Sequence, residues 1–328
     1  MRRLVVGVAA LTALQSRCVH GLSTAHWACP SCSEPLLLRS GGGSASTFRC
    51  THGHVYDMAR EGHIHLLPPK RKLPAQEEVD DMVRAQRAFY EGGGFDLQVD
   101  GLAAEVWRAL CACPEAGRRE VLGSGCGEGA YMRQLGALAA ACGGGGADGT
   151  PDGLGLGLWG IDDAKLAVRY AAKRQRQASF AVASAHRLPF AAGSLDLVFS
   201  VFGQAPWEEF CRVLRPGGAV VVARAGPEHL IELKRTVAKQ MNTLDPKAGP
   251  PKQFAAGLAE NYVRVRSEAV YSAQMADHLL RMTPSLRGLW RDAPDKHSAL
   301  QQTAADGVTV DLIISTHRVW LGTGGEPD

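Results

Sequence analysis

The sequence predicts an α/β fold, in which a Rossmann-like domain of parallel strands and helices follows a small zinc ribbon. A glycine-rich turn near residue 125 joins a short strand to a helix. Strands and helices then alternate up to residue 223, a pattern typical of a parallel sheet. An earlier group of cysteines and histidines has the spacing of a zinc site. The 328 residues are enough for about two such domains.

Charge is unevenly distributed along the chain. Lys and Arg number 36 against 33 Asp and Glu, so a uniformly basic nucleic-acid binder is not indicated. Residues 1–75 carry nine Lys/Arg and three Asp/Glu, a net charge of +6, which leaves −3 for the rest. A basic front end on a mildly acidic body predicts contact with an anionic partner, although a targeting peptide would account for part of this charge.

Residues 1–26 have the features of a targeting leader. Two arginines are followed by a mostly apolar run of 11 residues over 4–14, and the first acidic residue is Glu34. The apolar run is too short to span a membrane, so no membrane partner is expected. Cysteines with metal-site spacing favour a reducing compartment, which suggests a plastid or mitochondrion if 1–26 is a transit peptide, and otherwise the cytoplasm. A buried or disordered N-terminal extension is the alternative.

The zinc site is predicted over 29–54, within a ribbon domain at 27–67. The pattern reads C-x2-C-x17-C-x3-H, with tight pairs of soft ligands at both ends of a Ser/Gly-rich loop. Either His52 or His54 could be the fourth ligand, and the spacing favours His54. Four protein ligands leave no open position, so the site is predicted to be structural. The predicted ligands are Cys29, Cys32, Cys50 and His54.

A stiff basic linker with Pro at both ends follows at 68–74, and it opens a linker and helical connection over 68–118. This linker is a candidate phosphate contact, with solubility as the alternative. A helix is expected over 77–90, ended by three glycines at 92–94. The main domain is then assigned to 119–328, with a glycine-rich insertion over 143–157 that has no predicted chemical role.

The cofactor site is predicted at the ends of the strands of this domain. A glycine-rich turn lets a ligand approach the backbone closely, which suits either a dinucleotide or S-adenosylmethionine (SAM). The motif G-x-G-C-G-x-G favours SAM, and a carboxylate after the next strand can accept hydrogen bonds from both ribose hydroxyls. A loop after the third strand would lie beside the adenine. The predicted cofactor-binding residues are Gly123, Gly125, Gly127, Glu128, Gly129, Asp162, Ser184, Ala185 and His186.

Further elements complete the alternating pattern. Helices are expected over 130–142, 165–177 and 207–214, and strands over 120–122, 156–161, 180–184 and 194–200. The tight turn R-P-G-G at 215–218 leads into a fifth strand over 219–223. This turn is a recurrent feature of class I methyltransferases.

Taken in order along the chain, these motifs resemble the RlmA family of bacterial 23S rRNA (guanine-N1)-methyltransferases. The zinc knuckle, D-M-A-R-E-G at 57–62, the glycine turn, R-L-P-F at 187–190, R-V-L-R-P-G-G at 212–218 and P-E-H-L-I-E-L at 227–233 carry the likeness. A further block, L-R-M-T-P, lies at 280–284. The resemblance covers about residues 27–320 and implies SAM-dependent methylation of guanine N1 in a large-subunit rRNA hairpin. It also implies a ribbon that helps hold the RNA, and a homodimer.

One position departs from the family pattern. The family usually carries Asp where this chain has Gly123, and that carboxylate contributes to the network around the methionine part of SAM. Weaker SAM binding, compensation elsewhere, or a chain without turnover would each be compatible with its loss. The sequence therefore leaves two other readings open: a class I methyltransferase for a small molecule, and a non-catalytic RNA-binding relic.

The region after the fourth strand, 202–206, is the expected place for contacts to the target base. It lacks the motif of amino-group methylation and the Pro-Cys nucleophile used at pyrimidine C5, which favours a ring nitrogen by elimination. Gln204 and His229 are weak candidates for a catalytic role, and the sequence identifies no general base. Candidate residues for stacking on the base are Tyr90, Phe202 and Trp207, each with core packing as the alternative.

Overall fold

The protein is a three-layer α/β structure in a computed structural model that describes residues 27–41, 44–67, 76–113, 118–142, 156–237, 260–292 and 296–319. The elements of the front part are β1 (Leu37–Gly41), β2 (Ser44–Arg49), β3 (Val55–Asp57), β4 (His63–His65), α1 (Gln76–Glu91) and α2 (Asp96–Cys111). The alternating part contains β5 (Arg119–Ser124), α3 (Ala130–Cys142), β6 (Leu156–Asp162), α4 (Lys165–Arg174), β7 (Ser179–Val182), β8 (Leu195–Val201), α5 (Trp207–Val213) and β9 (Leu214–Ala225). The remaining elements are α6 (Ile231–Val237), β10 (Glu260–Ala269), α7 (Ala273–Met282), α8 (Pro284–Asp292), α9 (His297–Asp306) and β11 (Val308–Arg318).

The main sheet has the order β10-β11-β9-β8-β5-β6-β7-β4. Strands β4 to β9 pair in parallel, while β10 and β11 form an antiparallel edge. Alternate residues of the buried strands face opposite layers, as period-2 geometry requires. Val121 and Val221 belong to the core under α2, α3 and α4, whereas Leu122 and Val222 belong to the core under α5. The predicted Rossmann-like α/β fold is confirmed.

The zinc ribbon is continuous with the main domain in both its hydrogen bonds and its core. A separate antiparallel sheet, β1-β2-β3, forms the ribbon, but β4 pairs in parallel with β7 at the edge of the main sheet. The Ala28 N–H donates to the carbonyl of Pro189 at 2.7 Å. The Trp27 ring packs 4.9 Å from that of Trp159 and 5.0 Å from that of Phe190, measured between centroids. Packing therefore crosses the predicted boundary at residue 67.

Helix α2 lies inside the segment 68–118, which was expected to be a linker and helical connection, but it packs into the core of the main domain. Its residues Val99, Leu102 and Val106 are buried in the same core as Val121 of β5. The C-terminal helices form a second lobe with α1, in which Phe89 and Leu279 are fully buried. The sequence predicted a helical connection over 68–118 but neither the bounds of α2 nor this lobe.

The predicted element bounds agree with the structure to within a few residues, with three corrections. Helix α4 ends at Arg174 rather than at 177, because Gln175 leaves helical geometry and its side-chain amide donates to the carbonyl of Met132. The turn at 215–218 is part of β9, where the pairing with β8 skips from Leu214 to Ala219. Residues 143–155 and the leader 1–26 lie outside the described residues, while the last two residues of the predicted insertion, 156 and 157, begin β6.

Within the described ranges, no helix combines the length and the apolar character that a membrane span needs.

Candidate functional site

The four predicted metal ligands come together at one end of the ribbon. Their ligand atoms, from Cys29, Cys32, Cys50 and His54, all lie within 4.8 Å of one another. The Sγ atoms of Cys32 and Cys50 are 3.6 Å apart, and His54 Nδ1 lies 3.6 Å from Cys29 Sγ and 3.3 Å from Cys50 Sγ. All three cysteines are free thiols. Of the two histidines considered, His54 is the one in the cluster.

These distances fit zinc. Ligand bonds of about 2.3 Å to sulfur and about 2.05 Å to nitrogen, at tetrahedral angles, place sulfurs about 3.8 Å apart and sulfur and nitrogen about 3.6 Å apart. A set of three thiolates and one imidazole also matches the soft ligands that zinc prefers. The Tyr56 hydroxyl lies 3.4 Å from Cys29 Sγ and 3.2 Å from Ser31 Oγ, which orients a polar group towards one predicted ligand.

The candidate cofactor cavity lies at the carboxyl ends of β5, β6 and β7, where ligands bind in open parallel sheets. It has a volume of about 220 Å³. This is below the roughly 300–1,000 Å³ typical of ligand sites, so it encloses only part of a ligand the size of SAM. The cavity is lined by Ser124, Gly125, Ile161, Asp162, Asp163, Ala183, Ser184, Ala185, His186, Gly203 and Gln204.

Two features of the cavity suit a nucleoside cofactor. Gly125 has a φ of +69°, and a Cβ added there would meet nothing within 4 Å, so a ligand can approach the backbone directly. Ser124 Oγ is buried and has no hydrogen-bond partner among the described residues, although it lines the cavity. Buried polar atoms are normally paired, so an unpaired hydroxyl here favours a polar ligand group beside it.

Asp162 ends β6 and holds the glycine turn in place. Its carboxylate accepts a hydrogen bond from the Gly127 N–H at 2.9 Å and another from the Ala164 N–H, also at 2.9 Å. Each oxygen keeps a further lone pair for a ligand hydroxyl. Burial raises the pKa of Asp162 to about 6, although both backbone hydrogen bonds act to lower it.

Four of the predicted cofactor-binding residues do not line the cavity: Gly123, Gly127, Glu128 and Gly129. Glu128 is 1% exposed and accepts hydrogen bonds from Arg133 and Arg174, so it ties the turn to α3 and α4. Gly129 has a φ of +89°, and a Cβ there would lie 3.1 Å from Cβ of Ala171. These residues shape the turn rather than face the cavity.

Gly123 lies beneath the cavity, in an apolar setting. A Cβ added at this position would stand 2.7 Å from Sδ of Met132 and 2.9 Å from Cζ of Phe199. Both distances are shorter than those that Cβ atoms show in folded proteins. Met132 and Phe199 therefore fill the space into which an Asp side chain would enter.

Gln204 and His186 close one side of the cavity by a mutual hydrogen bond. The Nε2–H of His186 donates to Oε1 of Gln204, and both side chains are exposed at the mouth. The oxygen of Gln204 is thus already engaged. Its amide N–H groups are the part of this side chain that can approach a substrate.

His229 lies beyond this mouth, after the end of β9, and is buried. Its Nδ1 accepts the backbone N–H of Asp311 at 3.3 Å, so the ring proton belongs on Nε2. Burial lowers the pKa of His229 to about 4, which keeps the ring neutral near pH 7. With Nδ1 engaged by the Asp311 N–H, Nε2–H is the part of the ring left to donate a hydrogen bond.

The structure separates the three candidate stacking residues. Trp207 is 6% exposed and belongs to the core under α5. Tyr90 packs against the core, and its hydroxyl lies 3.1 Å from that of Tyr131. Phe202 is 43% exposed and directly precedes two cavity residues. Its neighbour Phe95, 6.4 Å away between ring centroids, carries no sequence signal that would have marked it.

Two family models match the chain. The model described as "RlmA, N-terminal" matches residues 27–74, and that described as "Methyltransferase domain" matches residues 122–222. The first match begins where the ribbon begins, so it gives no support to a transit peptide over 1–26.

Three curated bacterial proteins are similar over most of the chain. A 23S rRNA (guanine(748)-N(1))-methyltransferase of Streptomyces fradiae is 32% identical over 275 residues, which are 82% of this chain and 87% of that protein. YxjB of Bacillus subtilis (strain 168), provisionally named as a 23S rRNA (guanine-N(1)-)-methyltransferase, is 29% identical over 87% of this chain and 94% of its own length. A protein of Micromonospora griseorubida with the same provisional name is 33% identical over 63% of this chain and 68% of its own length.

Proposed function

Because this chain belongs to the RlmA family, whose relatives are named 23S rRNA (guanine-N1)-methyltransferases, we propose that it methylates guanine N1 in large-subunit rRNA. The observation that carries the proposal is the cavity at the carboxyl ends of β5, β6 and β7, beside an exposed aromatic residue and a zinc ribbon. SAM, when bound, supplies the electrophilic methyl group. The rRNA supplies N1, which must lose its proton before or during transfer.

Five of the predicted cofactor-binding residues form the walls of this cavity and are proposed to hold SAM: Gly125, Asp162, Ser184, Ala185 and His186. Asp162 accepts the two ribose hydroxyls through lone pairs that its backbone donors leave free. Ser124 adds a buried hydroxyl that has no hydrogen-bond partner among the described residues. Gly127, Glu128 and Gly129 act indirectly, by fixing the turn. We assign Gly123 no ligand role, because its surroundings are apolar.

Cys29, Cys32, Cys50 and His54 are proposed to hold one structural zinc ion. The ribbon continues the core of the methyltransferase domain and packs on the loop that includes Pro189 and Phe190. Its surface exposes Arg39, Arg49 and Arg60, which suit contact with RNA phosphates. A homodimer, which the resemblance implies, completes the proposal. The compartment is the one in which large-subunit rRNA is assembled.

A calorimetric SAM titration of the zinc-loaded chain, with and without an rRNA hairpin, distinguishes the proposed methyltransferase from a non-catalytic RNA-binding protein. Micromolar SAM binding together with methyl transfer to the RNA supports an enzyme. SAM binding with methyl transfer only to small molecules such as quinones supports a small-molecule methyltransferase. The absence of SAM binding under both conditions supports a non-catalytic RNA-binding protein. Sedimentation of the same preparation tests the homodimer.

A further inference from the structure

Backbone strain is concentrated beside the cofactor cavity. Among the described residues, four that are not glycine have a positive φ: Ser33, Phe95, Phe202 and Leu230. For a bulky residue this conformation is an outlier that persists only where the surrounding structure holds it. Phe95, Phe202 and Leu230 meet in one place, since Leu230 follows His229 in the chain and His229 touches both phenylalanine rings. Such residues cluster at active sites and ligand clamps.

The three rings form a compact aromatic group. The Phe202 ring lies 5.4 Å from the His229 ring at an interplanar angle of 34°, and the Phe95 ring lies 5.6 Å from that of His229. Phe95 is 4% exposed and His229 is 7% exposed, so the two buried rings support an exposed one. The Phe202 N–H donates to the carbonyl of Ala223 at 2.9 Å, which fixes the backbone at the end of β8.

The position of Phe202 relates this aromatic group to the reaction. Phe202 directly precedes Gly203 and Gln204, which line the cofactor cavity, and its own ring lies outside that lining. Phe95 and Leu230 are buried, whereas Phe202 keeps 43% of its surface exposed. A flat π-faced ligand would cover it, and a purine base is such a ligand.

We propose that Phe202, supported by His229 and Phe95, is the surface on which the unstacked target guanine lies during methyl transfer. This inference rests on the proposed function and adds the binding surface for the base. RNA-modifying proteins read unstacked bases by stacking them on aromatic side chains. The neutral His229 ring adds an apolar face without a charge, and its Nε2–H remains a donor for a polar edge of the ligand.

The test uses substitutions that separate the ring from the backbone. Phe202→Leu keeps an apolar side chain but removes the π face, whereas Phe202→Trp keeps an aromatic ring. Phe202→Gly removes the ring and relieves the positive φ, so its folding should be unimpaired. Tyr262 is an exposed aromatic residue on β10, and Tyr262→Leu serves as the matched control.

Loss of the stack is expected to lower kcat/KM for the rRNA hairpin roughly 5- to 150-fold in Phe202→Leu and Phe202→Gly. The Kd for SAM should change less than twofold, and Phe202→Trp should stay close to the wild type. A second readout is Trp emission of Phe202→Trp with the hairpin bound, which should be quenched by the target guanine but not by an abasic analogue at that position.

Wild-type rates in Phe202→Leu, or equal quenching by both RNAs, would overturn the inference while leaving the proposed function intact. Failure of the wild-type chain to methylate guanine would instead overturn the proposed function, and this inference with it. A SAM Kd raised in parallel with the loss of kcat/KM would place Phe202 in the cofactor site and would also overturn it.

Discussion

Replacing Gly123 with Asp, the residue that the resemblance led us to expect there, should lower the stability of the protein and should not tighten SAM binding. Gly123→Asp introduces a side chain whose Cβ would stand 2.7 Å from Sδ of Met132 and 2.9 Å from Cζ of Phe199. Both neighbours belong to the main core, and Met132 is completely buried. The carboxyl group would therefore enter an apolar space that is already filled.

Two costs add at this position. Overpacking of a filled core costs about 1–3 kcal/mol, and an unpaired buried carboxyl group adds about 1–3 kcal/mol even if it takes up a proton. We expect Gly123→Asp to lose about 3 kcal/mol of unfolding free energy, which lowers Tm by roughly 4–5 °C for a chain of this length. Gly123→Ala carries only the packing cost and should lose about 1–2 kcal/mol.

Denaturant unfolding and SAM calorimetry on the same preparations measure both effects. Adding Met132→Ala to Gly123→Asp makes room for the new side chain, so the two changes should couple by more than about 0.5 kcal/mol. SAM affinity of Gly123→Asp should not exceed that of the wild type. A Gly123→Asp variant that is as stable as the wild type and binds SAM tenfold more tightly would refute this expectation, because the Asp carboxylate would then be a SAM ligand that the wild-type chain lacks.

Three further predictions concern the metal, the cofactor and the target side of the site. Cys50→Ser should lose zinc and lower Tm by more than 5 °C. It should also raise the rate of amide exchange in the loop that includes Pro189, because the ribbon and the main domain share a core. The control variant His52→Gln should keep one zinc per chain by metal analysis. Because the ionised carboxylate of Asp162 is proposed to accept the ribose hydroxyls, SAM affinity should fall as pH drops through about 6, and calorimetry of Asp162→Asn should show no such step. The same raised pKa makes the folded state bind this proton more tightly than the unfolded state, so this group's contribution to stability should rise as pH falls from about 6 towards 4. Burial lowers the pKa of His229 to about 4, so this residue should not titrate between pH 5.5 and 8. The rate–pH profiles of the wild type and of His229→Asn should therefore have the same shape over that range.

The sequence predicted the features that depend on local pattern. Spacing located the zinc cluster, because the ligands of a ribbon lie on two short turns. The sequence also predicted that the Gly-rich turn and the carboxylate after β6 lie close together, since parallel strands bring their carboxyl ends to one edge of the sheet. Glu128 does not line the cavity, and the sequence could not show this, because a motif identifies the residues of the turn but not the direction in which each side chain points. Its pairing with Arg174 joins residues 46 positions apart.

Features that depend on long-range contacts were not predicted. Strand β4 has three residues and no strong pattern, and its pairing with β7 joins residues more than 110 positions apart. The ring contact between Phe95 and His229 likewise depends on how α2 and the C-terminal lobe pack around the sheet. Tertiary packing decides such contacts, so periodicity within one segment does not reveal them.

Nucleoside mapping of rRNA treated with the zinc-loaded chain and SAM tests the central claim most directly. N1 methylation blocks the Watson–Crick edge of guanine, so reverse transcription should stop at one position, and mass analysis of that nucleoside should identify N1-methylguanosine. Omission of SAM is the control, and Asp162→Asn should reduce the yield at pH 7. The account predicts one modified guanine in large-subunit rRNA. Methylation of a different base or of a different guanine atom, or no methylation in the presence of bound SAM, would contradict it.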